Sequence, residues 1–155
     1  MDGRCPTLDK PIIYTNSEKE TKALASQIGS ILSKGTVIAL SGELGAGKTT
    51  FSQGLAEGLE VKEYVDSPTF SILKIYEGRL PLYHMDVYRL DEESLEDLGL
   101  DEYLFGDGVC LVEWPSRIAS LLPKDTIPID IEVLSNGKRA ISIHSPTLYK
   151  ELVQS

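Results

Sequence analysis

Gly42-Glu43-Leu44-Gly45-Ala46-Gly47-Lys48-Thr49 is an unbroken match to the pattern G-x-x-x-x-G-K-[ST]. No other stretch of the chain constrains its fold as strongly. The glycines let the backbone turn so that successive amides, at Gly45, Ala46 and Gly47, point inward at phosphate oxygens. The helix that follows adds the amides of its first turn, with Thr49 and Thr50, and its partial positive charge. Lys48 reaches the β and γ phosphates, and the Thr49 hydroxyl is placed to ligate magnesium. Chance alone delivers the pattern in roughly 1 chain of this length in 200, given ordinary glycine usage. Here it also follows a buried-strand run and opens an amphipathic segment, the context that a phosphate cradle requires.

That context organises the rest of the chain. Val37-Ile38-Ala39-Leu40 is a continuous apolar run, typical of a strand buried on both faces of a parallel sheet. Phe51, Leu55 and Leu59 then mark one face of a helix. Before the run, Ile12-Ile13-Tyr14 predicts a short strand, and Ser17-Glu18-Lys19-Glu20 reads as a capping box. Leu24, Ile28, Ile31 and Leu32 follow at helical spacing, with Gly35 expected to end that helix. Residues 70–76 and 80–86 predict strands around the turn Glu77-Gly78-Arg79, and residues 91–103 are acidic and at most helical. Val109 to Glu113 is a second buried-strand run. Residues 127–134 and 139–144 predict a hairpin around Asn136-Gly137. The expectation is one α/β domain over residues 1–155, three-layered, with a mixed sheet and a C-terminal antiparallel hairpin.

A phosphate cradle of this kind works with a carboxylate at the tip of a neighbouring strand, holding magnesium directly or through water. Two acids qualify. Glu113 ends Val109-Cys110-Leu111-Val112, and Asp86 ends Leu82-Tyr83-His84-Met85. The run before Glu113 is the more apolar, which favours Glu113 as the metal ligand and leaves Asp86 to position water or stand behind the ligand. His84 shares the Asp86 face of its strand, and a structural or supporting role suits it better than ligation. Ser67-Pro68-Thr69 lies where many nucleotide hydrolases place a loop that senses the γ-phosphate; an ordinary proline turn accounts for it equally well. Trp114, after Glu113, is either core packing, the better default, or a partner contact.

Composition narrows the partners. The chain carries 24 acidic and 15 basic residues, a net charge of −9. Tight binding of nucleic acid by this chain alone is disfavoured, because neutralising many phosphates takes clustered Lys and Arg. No apolar run approaches a membrane span, and Met1 to Pro6 lacks the apolar core of a signal peptide. Of two cysteines, Cys5 and Cys110, the second sits in an apolar run and reads as a small core residue in a reducing cytoplasm.

Several motifs now converge. GELGAGKTT (Gly42 to Thr50), SPTF (Ser67 to Phe70), LYHMDVYRL (Leu82 to Leu90), LGLDEYL (Leu98 to Leu104) and VEWP (Val112 to Pro115) occur in this order. In these motifs the chain resembles the TsaE (YjeE) family, the ATPase component of bacterial tRNA threonylcarbamoyladenosine biosynthesis. The resemblance runs from about Ser17 to the final hairpin. It implies a magnesium-dependent ATPase, weak alone, that resets or drives the TsaD and TsaB proteins as they modify adenosine in ANN-decoding tRNAs. By the same resemblance Thr49 and Glu113 match the magnesium ligands and Asp86 a residue needed for hydrolysis. Thr69 matches a switch-like loop, while Ser17, Glu18 and Arg139 fall where the family flanks the adenine.

Two rivals fit the cradle alone. A small-molecule kinase usually carries an arginine-rich lid, whereas Arg89, Arg117 and Arg139 are scattered. A GTPase switch needs an N/T-K-x-D guanine reader, and the sequence contains no such tetrapeptide. The acidic segment Asp91 to Asp97 is either a solvated helix or a docking face for a basic partner surface.

Overall fold

Val37–Gly42 is the strand (β2) on which the rest of the fold is hung. Residues 11–43, 47–65, 73–87, 99–113 and 120–154 are described in a computed structural model of the chain. Around β2 they form a seven-stranded mixed sheet of order β1-β7-β6-β2-β5-β4-β3. The other strands are β1 (Ile12–Thr15), β3 (Leu73–Tyr76), β4 (Leu82–Asp86), β5 (Val109–Glu113), β6 (Ile127–Val133) and β7 (Arg139–Ile143). Strand β2 runs parallel to β5 and β6, and β4 parallel to β5. Antiparallel pairs close both margins, β3 with β4 on one side and β6 with β7 and β1 on the other.

The parallel centre explains the continuous apolar runs, because both sheet faces are covered. On one face Ile38, Leu40, Val109, Leu111 and Ile129 pack against helices α1 (Glu18–Ile31), α2 (Lys48–Gly58) and α4 (Pro146–Gln154). On the other, Val37, Met85, Cys110 and Val112 pack with Leu100 and Leu104 around the short helix α3 (Asp101–Leu104). The expected three-layer α/β arrangement with a mixed sheet is the one observed. The C-terminal hairpin forms as the sequence predicts: Gly137 adopts φ +85° and the Asn136 side chain accepts from the Lys138 amide at 3.0 Å.

Three expectations are corrected. Ile31 is 39% exposed, whereas Leu24, Ile28 and Leu32 are buried. Helix α1 stops at Ile31 because Leu32 already turns extended. Gly35 therefore does not cap α1; at φ +83° it turns the chain into β2, with its amide bonded to the Gly108 carbonyl. Third, a helix follows the hairpin. Ser145 caps it, its hydroxyl accepting from the Leu148 amide at 3.2 Å, and Pro146 occupies the first helical position.

Helices α1 and α2 cross at glycines. A Cβ on Gly54 would strike the Lys22 carbonyl, one on Gly58 the Ser26 carbonyl, and one on Gly29 the Leu55 carbonyl. Backbone therefore packs directly on backbone. No helix of the described residues is long and apolar enough to cross a membrane.

Candidate nucleotide site

The site gathers at the C-terminal ends of β2, β4 and β5. Gly47 precedes α2 at φ +104°, a left-handed conformation that suits glycine. It offers no side-chain cap, so the amides opening α2 keep no side-chain acceptor there. Lys48 and Thr49 begin the helix; Thr49 is exposed, Thr50 half-buried, and the Lys48 side chain only 9% exposed. Ser52 anchors this turn by donating to the Lys48 carbonyl at 2.8 Å. Phe51, one step beyond Thr50, is buried completely and pins the helix to the sheet.

Parallel pairing brings the two acids side by side, since Asp86 is the register partner of Glu113. Their surroundings differ. Glu113 is 5% exposed, with Oε1 4.0 Å from the Lys48 Nζ, while Asp86 is half-buried. The second oxygen of Glu113 is engaged from the other side. His84, wholly buried, donates from Nε2 to Glu113 Oε2 at 2.6 Å. The ring must be the donor, because a carboxylate only accepts. Its Nδ1 is buried and has no hydrogen-bond partner among the described residues.

Arg139 approaches from the other side of the sheet. A Cβ built on Gly47 would lie 3.5 Å from the Arg139 Nε, so the guanidinium sits against the loop glycine. Arg139 is the register partner of Thr15, two residues before Ser17. Ser17 caps α1, accepting from the Glu20 amide at 3.1 Å, while the Glu20 carboxylate accepts from the Asn16 amide at 2.8 Å. The capping box is therefore present, and Glu18 opens α1 as an exposed residue. Beneath this turn the Thr15 and Thr21 hydroxyls share a buried 2.7 Å hydrogen bond that nothing in the sequence pattern announced.

Of the residues singled out from sequence, Gly47, Lys48, Thr49, Asp86, Glu113 and Arg139 thus fall around one strand-end cluster, with Ser17 and Glu18 beside Arg139's strand partner. Gly45, Ala46, Ser67 to Phe70, residues 91–97 and Trp114 lie outside the described residues. Sequence reasoning put His84 on the Asp86 face but missed its bond to Glu113. That bond depends on β4 lying beside β5 in this register, which no local pattern in the sequence states.

The donor set suits magnesium bound with a nucleotide. No three His, Cys, Asp or Glu side chains converge among the described residues. Magnesium typically takes only one or two protein carboxylates, completing its shell with phosphate oxygens and water. Buried Glu113, 4.0 Å from the Lys48 that opens α2, supplies one such carboxylate.

A parallel-centred sheet whose middle strand leads through a glycine loop into a Lys-Thr helix start defines a P-loop NTPase fold. The crystal structure of YdiB from Bacillus subtilis shares it, with a TM-score of 0.81 and 42% identity over 92% of this chain and 93% of that one. The profile "Threonylcarbamoyl adenosine biosynthesis protein TsaE" matches residues 15–141. Curated relatives called tRNA threonylcarbamoyladenosine biosynthesis protein TsaE agree. The Bacillus subtilis protein is 52% identical, covering 83% of this chain and 81% of its own, and the Treponema pallidum protein 46%, covering 83% and 96%. The chain belongs to the TsaE family, and its role lies in tRNA threonylcarbamoyladenosine biosynthesis.

Proposed function

We propose that the chain is a magnesium-dependent ATPase supporting a TsaB–TsaD complex in the threonylcarbamoylation of adenosine in ANN-decoding tRNAs. The observation that carries the reading is Lys48 Nζ 4.0 Å from Glu113 Oε1, where Lys48 opens α2 and Glu113 ends β5, the parallel neighbour of β2. A buried cation and a buried carboxylate held this close leave a junction where phosphate and metal can exchange with the pair. Lys48 holds the β and γ phosphates and stabilises the charge that develops on them, aided by the amides opening α2. Thr49 and Glu113 hold the magnesium, which when bound neutralises phosphate charge. Asp86, beside Glu113 but more open, orients the attacking water and accepts its proton. Arg139, Ser17 and Glu18 flank the base.

Hydrolases of this class are slow until a further group organises the transition state, which agrees with a role inside an assembly. The net charge of −9 supports docking to protein rather than to tRNA directly. The test is phosphate release from ATP by the purified chain, with magnesium or EDTA, across a titration of the TsaB–TsaD pair. Feeble magnesium-dependent release that the pair stimulates is expected. Vigorous hydrolysis unaffected by the pair would refute the partner role. ADP formation that needs a small-molecule acceptor and yields no free phosphate would identify a kinase.

A further inference from the structure

Among buried polar side chains, His84 is unusual in lying wholly inside the sheet-helix interface with one ring nitrogen engaged and the other unpartnered among the described residues. A purely packing role would be met better by an apolar residue, since a buried unpaired nitrogen costs about 1–3 kcal/mol. The engaged nitrogen meets Glu113, and only at Oε2. Strand geometry fixes this contact. His84 and Asp86 share a face of β4, Glu113 is the register partner of Asp86, and His84, paired with Leu111, therefore reaches Glu113 from two pairs further down the ladder on the same face.

We propose that His84 is a positioning residue for Glu113, occupying Oε2 so that Oε1 is presented to Lys48 and the metal. This rests on the reading of Glu113 as the magnesium ligand. A glutamate side chain turns about three bonds, and at a strand end it can swing towards solvent. Bonding one carboxylate oxygen from within the core removes that freedom, and partners of this kind typically set metal affinity by about 10-fold or more. His84 acts through Glu113.

The experiment is a magnesium titration of fluorescent ATP-analogue binding, with thermal melts run alongside, on the full chain. The variants are Glu113→Ala, His84→Gln, His84→Asn and the double variant His84→Asn/Glu113→Ala. Gln can place its amide near the Nε2 position and reach Oε2, whereas Asn is too short. His84→Asn is expected to raise the magnesium midpoint about 10-fold with metal-free analogue binding unchanged, and His84→Gln to restore most of it. In the Glu113→Ala background His84→Asn adds no further shift. A His84→Asn midpoint equal to wild type, with Glu113→Ala shifted, overturns the positioning role alone. A Glu113→Ala midpoint equal to wild type overturns the ligand assignment beneath it. If His84→Asn fails to fold, the His84→Gln midpoint decides: a value near wild type supports the proposal, and a shift as large as that of Glu113→Ala refutes it.

Discussion

The glycine crossing of α1 and α2 can be tested at Gly58. Replacing it with alanine places a methyl against the Ser26 carbonyl oxygen, with the Ser26 carbonyl carbon and the Ser30 amide nitrogen each 2.9 Å away. All three are backbone atoms, so no side chain can swing aside; α1 itself must move. Overpacking a well-filled interface costs about 1–3 kcal/mol. The intrinsic preference of alanine over glycine in a helix returns at most about 1 kcal/mol, and less here because Gly58 is the last residue of α2. The net expectation is a loss of about 1–2 kcal/mol, or roughly 2–8 °C in melting temperature for a chain of this size. Differential scanning fluorimetry of Gly58→Ala against wild type measures it. Glu57→Ala is the control. That neighbour is 62% exposed and pairs with Lys22 at 3.5 Å, a surface contact expected to contribute less than about 1 kcal/mol. A Gly58→Ala melt equal to wild type would show that α1 and α2 do not pack backbone to backbone.

Lys48→Ala should leave the melt close to that of the wild type and lower ATP hydrolysis by about 100-fold or more; turnover near wild type would remove it from the mechanism. Asp86→Ala should retain magnesium-nucleotide binding and lose hydrolysis by about 100-fold, a split that single-turnover assays beside binding titrations resolve. Arg139→Ala should weaken nucleotide binding by about 10-fold with only a small loss in melting temperature, because the side chain's 2.9 Å bond to the Gly137 carbonyl is exposed. Burial pushes the Cys110 thiol from 9.0 up to about 12. Iodoacetamide at pH 8 should therefore leave the Cys110 peptide unmodified by mass spectrometry until the chain unfolds. Because folding raises this value, the stability it contributes is complete below pH 9 and is lost as pH climbs from there towards 12.

Most of the sheet was legible because its centre is parallel. Strands covered on both faces must be apolar throughout, so the runs at residues 37–40 of β2 and 109–112 of β5 announce themselves. The helix opening at Lys48 was legible because the G-x-x-x-x-G-K-[ST] pattern sets a helix start at its lysine. Contacts depending on register were not. The meeting of His84 with Glu113 requires knowing that β4 lies beside β5 and in which alignment, and no local pattern states this. Helix α4 was overlooked although Ser145-Pro146 with Leu148 and Leu152 at helical spacing signalled it; both leucines are buried against the α1–α2 side. The exposed Ile31 shows the converse. Ile31 keeps the helical spacing as the last residue of α1 yet is exposed, whereas Leu32, already extended beyond the helix, is buried.

The pairing of Thr15 with Arg139 has a consequence for how the molecule comes into being. These residues enter the chain early and late, yet they are neighbours in the sheet, and the arginine rests on Gly47. Contacts so distant in sequence carry the full entropy of closing a long loop and form slowly. During synthesis β2, the phosphate loop and α2 emerge well before β7, and β1 waits with an open edge for its partner. The phosphate cradle can take shape on a nascent chain, while the corner formed by Thr15, Ser17 and Arg139 cannot close until the final hairpin has left the ribosome. The corner that sets Arg139 against Gly47 thus closes later than β2 and α2 come together, and a chain stalled between the two exposes an unpaired strand to aggregation.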